Sequence, residues 1–198
     1  ELFYMLFRYF GQQAAWERKG FRFKMPIKLL DSTLVSLTIS VYDWAHYTTS
    51  KGAVKMHTLL DYDCLLPEFM NITGGKRTDN KAAFDIEIKP HSIVVADRGY
   101  CDYGLLNHWD SNNVFYVVRH KDDIQHRTIK ELPLPEKHAQ NVLLDEIIEF
   151  ELPTAKDKCP KRLRRIAVWD EEHGFVIELL SNNVTLAAST IAKLYKAR

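Results

Sequence analysis

Apolar residues recur along this chain with two different spacings, and the change from one to the other lays out the elements. Within residues 1–20, Phe3, Phe7 and Phe10 return at helical intervals until Gly11 interrupts them, which predicts a helix with an aromatic face. After Pro26 the texture turns β-like. Ile27, Leu29 and Leu30, followed by Leu34, Val35, Leu37, Ile39 and Val41, predict one strand or a pair of strands around Asp31, Ser32 and Thr33. Residues 53–73 alternate apolar and polar positions well enough for two more strands, with a turn at Asp61-Tyr62-Asp63 and a stop at Gly74-Gly75.

Asp79 and Asn80 are placed to cap a short helix over residues 81–86. Residues 92–96 form a brief, wholly apolar run of the kind found in strands covered on both faces, and it ends at Asp97-Arg98-Gly99-Tyr100. A helix capped by Asp102 carries Leu105, Leu106 and Trp109 and stops at Asn112-Asn113, and residues 114–118 make the next strand. Residues 121–170 are polar and punctuated by Pro133, Pro135, Pro153 and Pro160, with strand-like pieces at 147–152 and 165–169. A strand at 175–180 and a helix over 185–198, carried by Leu186, Ile191, Leu194 and Tyr195, complete the order. Strands interleaved with helices in this way predict an α/β fold with a mixed sheet and flanking helices.

Composition narrows the class without naming it. The 198 residues suffice for one full domain, and 46% hydrophobic with 27% charged residues is globular rather than disordered. With 27 basic and 26 acidic side chains no global field recruits a polyanion, so any such partner has to be met by a local patch. No apolar run reaches the roughly 20 residues a membrane helix needs, and the aromatic opening carries Arg8 without a cleavage signal, so no membrane partner is expected. Three widely spaced cysteines argue against a disulfide framework and for a reducing cytoplasm. The absence of an initiating Met leads to the expectation of further residues upstream.

Two aspartates stand out against their surroundings. Asp31 interrupts an apolar strand pattern and Asp97 ends another, and an ionised carboxylate in either place is costly unless cations or donors meet it. Singly, each has a plain explanation: Asp97 paired with Arg98, and Asp31 capping a turn through Ser32 and Thr33. Jointly, carboxylates on the first and fourth strands suit two Mg²⁺ ions held about 3.5–4 Å apart for phosphoryl transfer. The densest basic run is residues 156–165, where Lys156, Lys158, Lys161, Arg162, Arg164 and Arg165 stand against the single acid Asp157. It reads either as a solvated loop or as a contact for DNA phosphates.

Several motifs together resemble a known family. They are Tyr42-Asp43-Trp44-Ala45, the run from Lys51-Gly52 through Leu60-Asp61, Ala96-Asp97-Arg98-Gly99-Tyr100-Cys101-Asp102-Tyr103, Leu180-Ser181-Asn182-Asn183, and the closing Thr190-Ile191-Ala192-Lys193-Leu194-Tyr195-Lys196-Ala197-Arg198. In order, they resemble the DDE transposases of bacterial insertion sequences, specifically the fourth insertion-sequence family, from about Pro26 onward. The resemblance implies an RNase H-like core with a β-rich insertion. On that plan residues 1–25 are a helical lead-in left from an upstream region, 26–120 the core, 121–180 the insertion, and 181–198 the start of the final core helix.

By the same resemblance Asp31 and Asp97 match the first two catalytic, metal-binding carboxylates. Tyr195 and Arg198 match the first two positions of the Tyr-x2-Arg-x3-Glu-x6-Lys signature, and the chain stops before its Glu. The implied activity is Mg²⁺- or Mn²⁺-dependent DNA cleavage and strand transfer at insertion-sequence ends, by a nucleoid-associated bacterial homodimer on double-stranded DNA. Two ions are expected with the complete triad, and without its Glu the chain as given is expected to hold metal weakly and to be inactive alone. The implied DNA contacts are Lys51, Lys55, Arg162, Arg164, Arg165, Tyr195 and Arg198, with His57 either beside the site or a satisfied sheet histidine. Trp169 reads as packing, with base stacking as its family counterpart. The alternatives are a catalytically inactive remnant that binds DNA or a partner, and a stand-alone RNase H-like nuclease.

Overall fold

The computed structural model describes residues 5, 6, 9, 21, 23–37, 52–121, 125–134 and 141–198. They divide into two units, one up to Ile88 and one from Lys89 onward. Of the predicted N-terminal helix, Met5, Leu6 and Tyr9 are helical, and Phe3, Phe7 and Phe10 lie outside the described residues.

The first unit is an antiparallel meander. Strand β1 (Ile27–Leu37) pairs with β2 (Gly52–Asp61), which pairs with β3 (Pro67–Gly74). A short helix, α1 (Asp79–Ala83), follows and buries Ala82 and Ala83. Its N-cap is Thr78 rather than Asp79, and no side chain caps it. β1 runs without a break through Asp31, Ser32 and Thr33, so the alternative of two strands around a turn there is corrected: the ladder to β2 leaves no room for a turn.

Alternation along β1 sorts its residues by face. On one face Ile27 and Leu29 are buried, and the next residues of the same parity, Asp31, Thr33 and Val35, are exposed. On the other, Lys28 is buried and joined to Asp61 at 2.6 Å and Glu68 at 2.7 Å, while Leu30 packs across from Leu59. Burial opposes the charge on Lys28, but the two carboxylates outweigh it and raise its pKa.

The second unit is a mixed sheet. The wholly buried β4 (Ile93–Ala96) pairs in parallel with β5 (Phe115–Arg119), and β5 pairs antiparallel with β9 (Phe175–Ser181). The order continues antiparallel through β8 (Leu163–Asp170) and β7 (Val142–Phe150) to β6 (His126–Glu131). The polar segment after residue 121 thus extends the sheet that β4 and β5 begin. It also contains a helix that the sequence reading did not anticipate, α3 (Pro153–Lys158), started by a proline at its first turn.

The crossover from β4 to β5 is a 3₁₀ turn at Arg98–Tyr100 and helix α2 (Tyr103–Ser111). Asp102 caps α2 by accepting the Leu105 amide at 3.1 Å, and Leu105, Leu106 and Trp109 face inward as the periodicity predicts. Asn113, at φ +57°, turns the chain into β5. The last helix, α4 (Ala188–Lys196), buries Ala188, Ile191 and Leu194 and packs against β4, β5, β7 and β8. It begins three residues later than expected, because Asn183 accepts from the Thr185 and Leu186 amides at 3.0 and 2.9 Å and holds residues 183–186 as a turn. Among the described residues no helix is long and apolar enough to cross a membrane.

Candidate functional site

Asp97 lies one residue beyond β4. Because Ala96 is in register with Val118, it stands at the same, C-terminal end of the parallel pair as Arg119. That end is where α/β sheets place ligands, since the strands stop and the loops open there. Asp97 is half-buried, and one of its carboxylate oxygens accepts the Gly99 amide at 2.8 Å. This bond caps the 3₁₀ turn and fixes the carboxylate's direction. The plain explanation, a pair with Arg98, is corrected: Arg98 is exposed and the carboxylate turns to the Gly99 backbone. Tyr100, which follows, is fully buried.

Asp31 belongs to the first unit. It stands opposite Thr58 in mid-strand, at the first exposed position after Ile27 and Leu29 on its face. The expectation of a costly buried anion is therefore corrected for Asp31, which is solvated. The idea that it caps a turn falls with the continuity of β1.

Beside α4 lies a groove of about 770 Å³. Arg119, Lys193, Lys196 and Arg198 bring positive charge to its lining, and Asp170 at the end of β8, with Glu171 and Glu172 on the turn to β9, brings negative charge. Tyr195 lies in the last turn of α4 and Arg198 two residues beyond its end, and the Arg198 guanidinium lies over the Tyr195 ring, 5.5 Å from its centroid. Arg119 is stacked in the same way over Phe175 at 5.3 Å. Trp169 also lines the groove and is 40% exposed, so its expected packing role is corrected. The reason is its place next to the turn of the β8–β9 hairpin, opposite the exposed Val176.

The basic run is not one surface. Arg162 is 64% exposed and only 4.0 Å from Glu149. Lys161 is paired with Asp110 on α2. Strand alternation then sends the two arginines to opposite faces of β8, and neither presents an open guanidinium. Arg165 is clasped by Glu146 at 2.6 Å and by Glu178. Burial works against its charge, yet the two carboxylates prevail and raise its pKa. Arg164 is buried, with Nε and Nη2 each donating to Asp145 at 2.7 Å.

In the first unit, Lys55 pairs with Asp79 at 3.2 Å. His57 is fully buried, with Nε2 3.1 Å from Thr73 Oγ1 and Nδ1 3.6 Å from Asp79, so it is a sheet histidine with one ring nitrogen bonded rather than a surface contact. Lys51 and Trp44 lie outside the described residues.

Sequence reasoning missed the part played by Ser181, Asn182 and Asn183. Ser181 donates to the Tyr116 carbonyl at 2.6 Å, and the Asn182 side chain meets the Tyr116 amide, the Val114 carbonyl and Asp110. These short polar residues tie the end of β9 to β5 and α2. A Ser-Asn-Asn run between a strand and a helix is the signal that marked them.

A divalent ion of the Mg²⁺ class takes hard oxygen ligands, and Asp31 and Asp97 are of that type. Among the described residues no group of three or more His, Cys, Asp and Glu side chains is gathered to hold a metal.

Residues 22–198 match the transposase DDE domain family, and the chain belongs to it. It is 26% identical over 181 residues to a probable transposase for an insertion sequence element of Geobacillus stearothermophilus, covering 91% of this chain and 47% of that protein. It is 28% identical over 173 residues to a second protein bearing a transposase name, y4zB of Sinorhizobium fredii (strain NBRC 101917 / NGR234), covering 87% and 48% respectively. The chain therefore spans about half the length of these curated relatives. Among solved structures it is similar to the piggyBac transposase in a synaptic complex with hairpin DNA, with a TM-score of 0.49, 11% identity, and coverage of 86% of this chain and 37% of that one.

Proposed function

We propose that this chain is the catalytic segment of an insertion-sequence transposase of the fourth family, on an RNase H-like core, cleaving and rejoining DNA at the element's ends. The observation that carries the reading is Asp97. The acidic triad that the resemblance implies needs a carboxylate where a ligand can reach it, and Asp97 lies at the C-terminal end of the β4–β5 pair with its carboxylate held by Gly99. The subgroup assignment rests on Tyr195 and Arg198, which stand at the spacing of the Tyr-x2-Arg signature.

Asp31 and Asp97 would hold Mg²⁺ or Mn²⁺, which when bound supplies Lewis acidity at the scissile phosphodiester. The protein's own share is binding and orientation. Arg198, steadied on the Tyr195 ring, offers a delocalised cation with several donors to a backbone phosphate along the groove. Exposed Arg162 and the lysines of α3 add electrostatic attraction. Trp169, exposed on the same groove, presents an aromatic face on which a base can stack. The proposed partner is double-stranded DNA bound by two copies on paired ends, in a nucleoid setting.

The test is cleavage of duplex DNA carrying the element's termini, in Mn²⁺, by a transposase that carries this segment together with the signature's Glu, and by its Asp31→Asn and Asp97→Asn variants. The expected result is metal-dependent cleavage that either substitution abolishes. Cleavage that persists in a folded Asp97→Asn protein contradicts the reading.

A further inference from the structure

The contacts of Arg164 on its inner side have a consequence for the groove. Besides gripping Asp145 with two parallel bonds, its Nη1 donates to the Leu186 carbonyl at 2.6 Å and to the Asn183 carbonyl at 3.3 Å. Those carbonyls belong to the turn that leads into α4, whose N-cap position is Ala187, a residue with no capping side chain. The turn is also held from within, since the Asn183 side chain accepts from the Thr185 amide, the Thr185 hydroxyl and the Leu186 amide. Arg164 stands opposite Ser181, the last residue of β9, so it reaches across the point where sheet becomes helix.

We infer that the Arg164–Asp145 pair is a buried clamp that sets the start of α4 and thereby places Tyr195 and Arg198 along the groove. Arg164 is then a positioning residue and not a phosphate ligand. The planar guanidinium is what the arrangement requires, because one rigid fork spans both carboxylate oxygens while its remaining nitrogen meets two carbonyls. A lysine ammonium is a single point of contact and cannot do both. The clamp's effect on DNA rests on the reading that α4 meets the phosphate backbone, whereas its effect on α4 rests on the contacts alone.

The two can be tested separately. Replacing both partners, Arg164→Met with Asp145→Leu, removes the clamp without leaving a lone buried charge. Arg164→Lys keeps the charge and loses the fork. Amide hydrogen exchange is measured on the parent and both proteins, with duplex binding measured across a salt series beside Arg198→Ala. The clamp predicts that amides of residues 188–196 exchange at least about tenfold faster in both proteins, while those of β4 and β5 keep their protection. It also predicts that the salt slope falls as it does in Arg198→Ala. Unchanged protection of α4, or equal loosening of every element, overturns the proposal. Should α4 loosen while neither Arg198→Ala nor the double replacement alters duplex binding, the clamp stands and the DNA reading of α4 falls.

Discussion

The carboxylate of Asp97 receives the amide of Gly99 at 2.8 Å, so one residue both starts the turn after β4 and carries an acid at the end of that strand. The bond occupies one oxygen lone pair of the carboxylate and stops it from rotating, which is the preorganisation that a metal ligand needs. Structural and chemical roles therefore overlap at Asp97 and can be separated by choice of substitution.

Asp97→Asn keeps a side-chain acceptor for Gly99 and should leave stability within about 0.5 kcal/mol of the parent. Asp97→Ala loses the cap and should cost about 1 kcal/mol. Asp31→Asn should be close to neutral, because Asp31 is exposed and no buried charge is relieved. Urea unfolding of the three variants checks this ranking, and equal stability of the Asn and Ala forms at position 97 would remove the cap from the account.

Arg162 and Arg164 should part company when each is replaced by Ala. Loss of exposed Arg162 should leave the fold intact and lower the salt slope of duplex binding by about one phosphate contact. Loss of Arg164 strands Asp145 without its partner in the interior and should cost about 3–5 kcal/mol. Thermal melts together with a salt series give both readouts.

Asn182→Ala should destabilise by about 1–3 kcal/mol, since it leaves the Tyr116 amide and the Val114 carbonyl without their side-chain partner. Denaturant midpoints measure this directly, and a neutral result would mean that water replaces both bonds.

His57 makes stability depend on pH. Burial holds its pKa below the ordinary 6.5, against the pull of Asp79, so the folded protein keeps it neutral where the unfolded chain takes up a proton. Stability should therefore decline as pH drops through about 6.5 and level off below the folded pKa. Asp61 acts in a lower window. Its half-buried carboxyl is raised by desolvation but held below 3.8 by Lys28, so its contribution is complete above that value and is lost as pH falls through the folded pKa. Melting temperatures between pH 7 and 5 for the parent and His57→Gln isolate the first effect, and identical slopes would contradict it.

How legible the molecule was in its sequence varied with the kind of interaction involved. The strands at β2, β3, β4, β5 and β9 and the Asp102 cap of α2 were readable because alternation, turn residues and a single capping acid are local signals. β1 was harder, since Asp31-Ser32-Thr33 resembles a turn until the β2 ladder is known to run past it. Arg164 and Arg165 defeated a reading based on charge. Their partners Asp145, Glu146 and Glu178 lie 13 to 19 residues away, and only the pairing of β7, β8 and β9 brings them close. The groove beside α4 was legible in part. Tyr195 and Arg198 were marked by their resemblance to the family's Tyr-x2-Arg signature, whereas Arg119 and the exposed face of Trp169 depend on how β5, β9 and α4 pack.

The central proposal is that Asp31 and Asp97 each serve as a divalent-metal ligand, and calorimetric titration of the protein with Mn²⁺ tests it most directly. Saturable binding in the parent, lost in both Asp31→Asn and Asp97→Asn while each variant still melts as a folded protein, is the predicted result. Variants that take up Mn²⁺ with the affinity of the parent would contradict the assignment of the site.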